Sequence, residues 1–228
     1  MPDPYPLEVT VSWKKAYPGA AAGVLAMTGT EVPAASAAFE ALKAEIEAGL
    51  RARLAGFDRA ALAGLPTLQA YKEYYRRFKK TYHVLLQLES VLNGKPIPSG
   101  SPLVEAMFMA ELKNQLLTAG HDLGALQGGL SLGVATGSES YVLFNGETQT
   151  LKPGDMFIAD TAGVISSIIY GPDQRTRIRP ETRRVLYTVY APPGIGEMAV
   201  SGHLEELRTF VQAACPAAQV VKLKVYTE

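Results

Sequence analysis

The sequence predicts an α/β (α+β) protein in which helices pack a mixed, mostly antiparallel central sheet. Three observations point to that class. Residues Gly137 to Ala191 form short β-type runs separated by turn signals. Upstream of them, apolar residues recur every three or four positions, the helical period. Both ends of the chain carry stretches that alternate apolar and polar residues, as half-buried strands do.

From the N-terminus, Leu7-Glu-Val-Thr-Val-Ser-Trp13 alternates and is expected as a strand. Pro18-Gly19 turns the chain, and Ala22 to Thr28 is expected as a second strand paired with the first. Pro33 would open a helix with Ser36 as its cap. Phe39, Leu42, Ile46, Leu50 and Leu54 share one face of that helix, which reads as core packing. Asp58 to Pro66 suits a short helical turn and loop, and a further element begins near Leu68. From Lys72 to Lys80 the chain carries five basic residues and one acidic one, with aromatics interleaved. Such a segment can hold phosphates while bases stack on its rings. It can equally be a solvated helix whose rings face the core, the reading that the helical spacing of Tyr71, Tyr75 and Phe78 favours. Arg76, Arg77, Lys79 and Lys80 stand as candidate phosphate contacts.

His83 to Leu92 reads as an apolar helix stopped by Asn93-Gly94. Ser101 caps the next helix, with Pro102 at its first position. Thr118 to Asp122 is expected as a loop, Asp122 to Leu126 as a short turn, and Leu130 to Ala135 as a strand after Gly128-Gly129. In the central run, Tyr141 to Phe144 and Thr148 to Leu151 flank Asn145-Gly146, the strongest short hairpin signal. Pro153-Gly154-Asp155 turns again, Met156 to Ala159 and Val164 to Tyr170 are strands, and Gly171-Pro172-Asp173 leads towards a last strand from Arg183 to Tyr190. Beyond Ala191-Pro-Pro-Gly194, Ser201 would cap a helix from Gly202 to Ala214, and Gln219 to Tyr226 alternates as a terminal strand.

The chain has 228 residues, 47% hydrophobic and 19% charged, which describes a folded globular protein. Its net charge is zero, so nucleic acid would have to meet a local basic patch. A single cysteine, Cys215, excludes an internal disulfide and fits a reducing, cytoplasmic setting. No signal peptide or membrane-length apolar run is legible, so no membrane partner is expected. Nucleophile-elbow, zinc-protease, P-loop and dinucleotide signatures are all missing, and His83, His121 and His203 lie too far apart in sequence to chelate a metal. His83 and His203 read as structural or surface residues. His121 and Asp122, in a Gly-flanked segment, can activate water and orient a neighbour, or Asp122 can simply cap the next turn. Asp173, Arg175 and Thr176 follow a Gly-Pro turn. Arg175 can clamp a phosphate or carboxylate and Thr176 can donate to a carbonyl, or Asp173 can cap the turn and pair with Arg175. Ser166 and Ser167 lie in an expected buried strand, where a hydroxyl needs a partner, either a substrate or a backbone carbonyl.

The order of turns is similar to that of a known family. Gly137 with Glu139, Phe144-Asn-Gly-Glu147, Leu151-Lys-Pro-Gly-Asp155, Ile158-Ala-Asp160, Gly163-Val164, Asp173 with Arg175-Thr176, and Glu181-Thr182 carry the resemblance. Leu103-Val-Glu105, His121-Asp-Leu123 and Gly128-Gly129 extend it upstream. The chain resembles the tRNA-editing (B3/B4) domain of the phenylalanyl-tRNA synthetase β subunit, in its free-standing form. The resemblance implies a B3/B4-like core over residues 68–195. Residues 1–67 and 196–228 are then expected to join in a flanking α/β layer. It implies metal-free, cofactor-free hydrolysis of the ester of mischarged tRNA in trans, or a non-catalytic module that binds tRNA or an amino-acid ligand in the same pocket. Aminoacylated tRNA is the implied partner, and DNA is not. The implied pocket is lined by Met107, Phe108, Gly129, Asp160, Ser166 and Asp173, with His121, Asp122, Arg175 and Thr176 as the catalytic candidates. Bacterial synthetase domains carry a Thr-Asn pair where this chain has Met107-Phe108, and a His where it has Ala119. The apolar replacement implies an amino acid without a hydroxyl.

Overall fold

A computed structural model describes residues 5–31 and 36–227, so Pro33 lies outside the described residues. In chain order the elements are β1 (Leu7–Val9), α1 (Val11–Ala16), β2 (Ala21–Thr28), α2 (Ala37–Arg53), α3 (Arg59–Ala63), α4 (Pro66–Arg76), α5 (His83–Leu92) and α6 (Pro102–Asn114). There follow β3 (Thr118–Asp122), a 3-10 turn (Leu123–Ala125), β4 (Leu130–Val134), β5 (Ser140–Val142), β6 (Thr148–Thr150) and β7 (Met156–Asp160). Then come β8 (Gly163–Ser167), β9 (Gly171–Pro172), β10 (Arg184–Ala191), α7 (Glu197–Ala214) and β11 (Gln219–Tyr226).

The strands form two sheets and one hairpin. One sheet has the order β1-β4-β7-β8-β9 and is antiparallel except for the β1–β4 pair. The other, β11-β2-β10-β3, is antiparallel throughout, and it joins strands from both ends of the chain to strands from the middle. β5 and β6 pair as the hairpin expected around Asn145-Gly146, where Gly146 takes φ +84°. The four-stranded sheet turns Tyr190, Thr188 and His121 towards the five-stranded sheet. There the buried Tyr190 hydroxyl accepts from the Ile158 N–H at 3.0 Å and meets Ser166 Oγ at 2.7 Å. Its other face packs on α6 and α7. Tyr187 donates to the Leu103 carbonyl at 2.8 Å, and a Cβ on Gly23 would come 2.7 Å from Val200.

Several local expectations change. The alternation from Leu7 stops after three residues, because Thr10 caps a helix instead: its Oγ1 accepts from the Trp13 N–H at 3.3 Å and donates to the Leu132 carbonyl at 2.9 Å. β2 does not pair with β1. It lies between β10 and β11, while β1 lies parallel to β4. Thr118 to Asp122 is a strand despite its Ala and Gly, since β10 supplies the ladder that local propensity does not. β8 ends at Ser167, and α7 begins at Glu197, so Ser201 lies inside that helix. Ser36 caps α2 as expected, with its Oγ accepting from the Phe39 N–H at 3.2 Å. Tyr71, Tyr75 and Phe78 are buried as their spacing indicates. Among the described residues no helix is long and apolar enough to cross a membrane.

Candidate functional site: a cavity on the free edge of β3

β3 is an edge strand. Thr118 and Asp122 turn their N–H groups away from β10. The Thr118 N–H donates to Glu111 Oε2 at 2.9 Å, and the Asp122 N–H to the Thr176 carbonyl at 2.6 Å. Gly120 lies midway between them, so the alternation of an antiparallel ladder directs its N–H and C=O outward too. α6 flanks this edge on one side, and β8 with β9 on the other. The gap between them is a cavity of about 410 Å³. Met107, Phe108, Leu117, Ile178 and Tyr190 make its wall largely apolar, with Ser167 and Thr118 among the few polar groups. A Cβ on Gly120 would sit 2.8 Å from Ile178 Cδ1 and 3.3 Å from Met107 Sδ, so the glycine keeps the cavity open.

Sequence reasoning missed two titratable groups of this wall. Glu111, on α6, is 1% exposed, and burial pushes its carboxyl up to about 8 against the opposing pull of the Thr118 N–H. His83, at the start of α5, stands at the mouth with its side chain 48% exposed. Its Nε2 lies 3.9 Å from Glu111 Oε1, and desolvation lowers its pKa. The imidazole is therefore neutral at pH 7.

A second polar cluster lies behind β3. His121 is fully buried, on the same face of β3 as Ala119, and it is not among the residues that line the cavity. Its Nδ1 is 2.8 Å from Thr176 Oγ1, whose hydroxyl donates to Asp173 Oδ1. That hydroxyl can then only accept from His121, which places the imidazole proton on Nδ1 and leaves Nε2 without a partner. Burial lowers the His121 pKa to about 3, helped by the Arg175 charge and opposed by Asp160. Arg175 clamps Asp160 through two bonds of 2.9 and 3.0 Å.

A family model for the B3/4 domain matches residues 69–202. The chain belongs to the B3/4 domain family. The B3/4 chain is also similar to a solved structure, an N-terminal fragment of the phenylalanyl-tRNA synthetase beta-subunit from Pyrococcus horikoshii, with a TM-score of 0.51 and 10% sequence identity. That match covers 99% of this chain and 55% of the fragment, and at this identity it speaks for the fold alone. No curated protein matches the sequence.

Within the B3/4 fold, the residues singled out by sequence fall into separate places. Met107 and Phe108 line the cavity. Ser166 bonds Tyr190 and is replaced at the wall by its neighbour Ser167. Gly129 is exposed beside Pro6 and lies outside the cavity lining. Asp160, Asp173, Arg175, Thr176 and His121 form the cluster behind β3. Asp122 accepts from the Gly124 N–H and the Thr182 hydroxyl, both at 2.8 Å, as a turn cap does.

The basic residues lie on two surfaces. Arg76, Lys79 and Lys80 line a groove with Arg59 and Lys72, while Arg77 stacks 5.2 Å from the Tyr17 ring centroid. Lys80 Nζ lies 5.2 Å over Tyr170, next in sequence to Gly171 of the cavity wall. A second surface gathers Arg175, Arg177, Arg179, Arg183 and Arg184, whose close spacing is the sequence signal that could have found it. Among the described residues Arg177, Arg179 and Arg184 have no ion-pair partner. Arg177 belongs both to this cluster and to the cavity wall.

Proposed function

We propose that this B3/4 protein is a trans-acting aminoacyl-tRNA deacylase, hydrolysing the ester that joins a wrong amino acid to tRNA. The observation that carries the reading is the double placement of Arg177, which sets an apolar cavity directly beside an exposed arginine cluster. An aminoacyl ester at the end of a polyanion presents that pair of features, an apolar side chain next to phosphates. Membership of the B3/4 domain family, with a fold like that of a tRNA synthetase fragment, is in keeping with this reading.

The side chain would enter between Met107, Phe108 and Ile178. The outward Gly120 N–H is placed to donate to the ester carbonyl as its oxygen gains charge, an interaction typically worth about 10²–10³ in rate. Ser167 Oγ accepts from the Tyr170 N–H at 3.2 Å, and its side chain is bonded to the buried Asp155 carboxyl rather than to His83. Water, activated by His83, is the attacking group in this reading. Neutral His83 takes its proton, the carbonyl carbon gains a hydroxyl, and the imidazolium returns a proton to the departing ribose oxygen. The products are the free amino acid and uncharged tRNA.

The test is deacylation of tRNAs each charged with a wrong amino acid. Wild type should release apolar amino acids fastest, and His83→Ala should lower the rate by about 10²–10⁴ with tRNA affinity retained. The position of His121 away from the wall favours a second reading, a cavity that binds without hydrolysing. No release from any pair at high protein concentration, with tRNA binding intact, would select it.

A further inference from the structure

We propose that Glu111 is the anchor for the ammonium group of an aminoacyl ligand in this cavity. The inference rests on the proposed function and names how the ligand is recognised. Glu111 is the only acidic residue among the described residues lining the cavity. If it served merely to hold the Thr118 N–H, a glutamine would do as well. Its second oxygen, Oε1, makes no hydrogen bond among the described residues and faces His83 Nε2 across 3.9 Å, too far for a bond between them. An acceptor thus stands open in an apolar wall, close to the apolar groups that would hold the side chain.

The neighbours leave that carboxyl without a cation. α4 contributes the buried Tyr71 and Tyr75, the segment before α5 contributes Tyr82, and α5 contributes the neutral His83. From β3 comes only the Thr118 N–H, whose side chain bonds His203 of α7 at 2.8 Å. Arg177 belongs to the wall but makes no ion pair with Glu111 among the described residues. A cationic ligand would supply the missing charge. Because burial holds the free carboxyl neutral at pH 7, binding displaces its proton: the ammonium ion and the carboxylic acid become an ammonium–carboxylate pair plus one proton released to solvent. Affinity then rises with pH through about 8 and levels off above it, where the carboxyl is already ionised. A hydroxy acid or plain alcohol of the same shape has neither the pair nor the proton release.

Calorimetry in buffers of different ionisation enthalpy tests this, with leucinol and phenylalaninol as non-hydrolysable amines, and 4-methyl-1-pentanol and 3-phenyl-1-propanol as the matching alcohols. Each amine should bind at least about tenfold more tightly than its alcohol. It should release close to one proton at pH 7 and clearly less at pH 9. Glu111→Gln keeps an acceptor for Thr118, so it should bind the alcohols as wild type does and lose both the amine preference and the proton. Equal binding of amine and alcohol, or proton release unchanged in the variant, overturns the anchor while leaving the cavity as the aminoacyl site. Failure of wild type to bind any of the four also overturns it. The deacylation panel then decides the function separately, since hydrolysis of mischarged tRNA does not depend on the affinity of these fragments.

Discussion

His121 and His203 are buried without charge, with pKa values lowered by desolvation to about 3 and about 4. Below the ordinary histidine value of 6.5 the unfolded chain takes up protons that the folded one refuses, so stability falls as pH drops from 6.5 towards 4. Urea unfolding across that range should show the decline, and His121→Asn should flatten it. At pH 7.5 the same variant should lose about 1 kcal/mol through its bond to Thr176. Glu111 acts in the opposite direction. Its folded pKa, about 8, is raised above the ordinary 4.5, so its contribution is complete below pH 4.5 and is lost as pH rises through 8. Glu111→Gln should therefore gain in Tm relative to wild type between pH 5 and pH 8, and an unchanged difference across that range would contradict a neutral buried carboxyl.

Two glycines set how closely elements approach. Gly23 lets α7 lie on β2, where a Cβ would meet Val200 at 2.7 Å and Leu204 at 3.1 Å. Gly23→Ala should cost about 1–3 kcal/mol by denaturant unfolding, because both groups lie in a packed interface. Gly120 has a different surrounding. The groups its Cβ would meet are the flexible ends of Ile178 and Met107, which can yield into the cavity. Gly120→Ala should fold with a smaller loss, about 1 kcal/mol, and weaken phenylalaninol binding more than leucinol binding, because the narrower cavity excludes the larger side chain first. Equal weakening of the two would place the bound side chain elsewhere.

Across the whole molecule the charges cancel, 22 basic against 22 acidic residues, so any attraction to a polyanion is a matter of placement. The arginines next to the cavity are better placed than the groove at Arg76, Lys79 and Lys80, which shares no lining residue with the cavity among the described residues. Replacing Arg177, Arg179, Arg183 and Arg184 by Gln should weaken tRNA binding and reduce the slope of log affinity against log salt by about 0.7–0.9 for each phosphate that is no longer neutralised. Replacing Arg76, Lys79 and Lys80 should change the slope less, and the reverse ranking would move the tRNA surface to that groove.

Much of this fold follows from the sequence alone, because the signals are local. Asn145-Gly146 and Pro153-Gly154 are turns since their backbones admit the required φ, and both glycines take it. The stripe on α2 and the spacing of Tyr71, Tyr75 and Phe78 mark buried faces since the helical period alone brings them together. Met107 and Phe108 were legible as wall residues through a resemblance of ordered motifs, and the arginine spacing from Arg175 to Arg184 was there to be read. Only the tertiary structure makes Thr118 to Asp122 a strand, because its ladder is donated by β10, more than sixty residues onward. That pairing leaves the Gly120 backbone on a free edge that lines the cavity, while the packing of α5 on α6 brings Glu111 beside His83. Such proximities depend on which edges remain free once the sheets have formed. No periodicity or spacing within one segment encodes them.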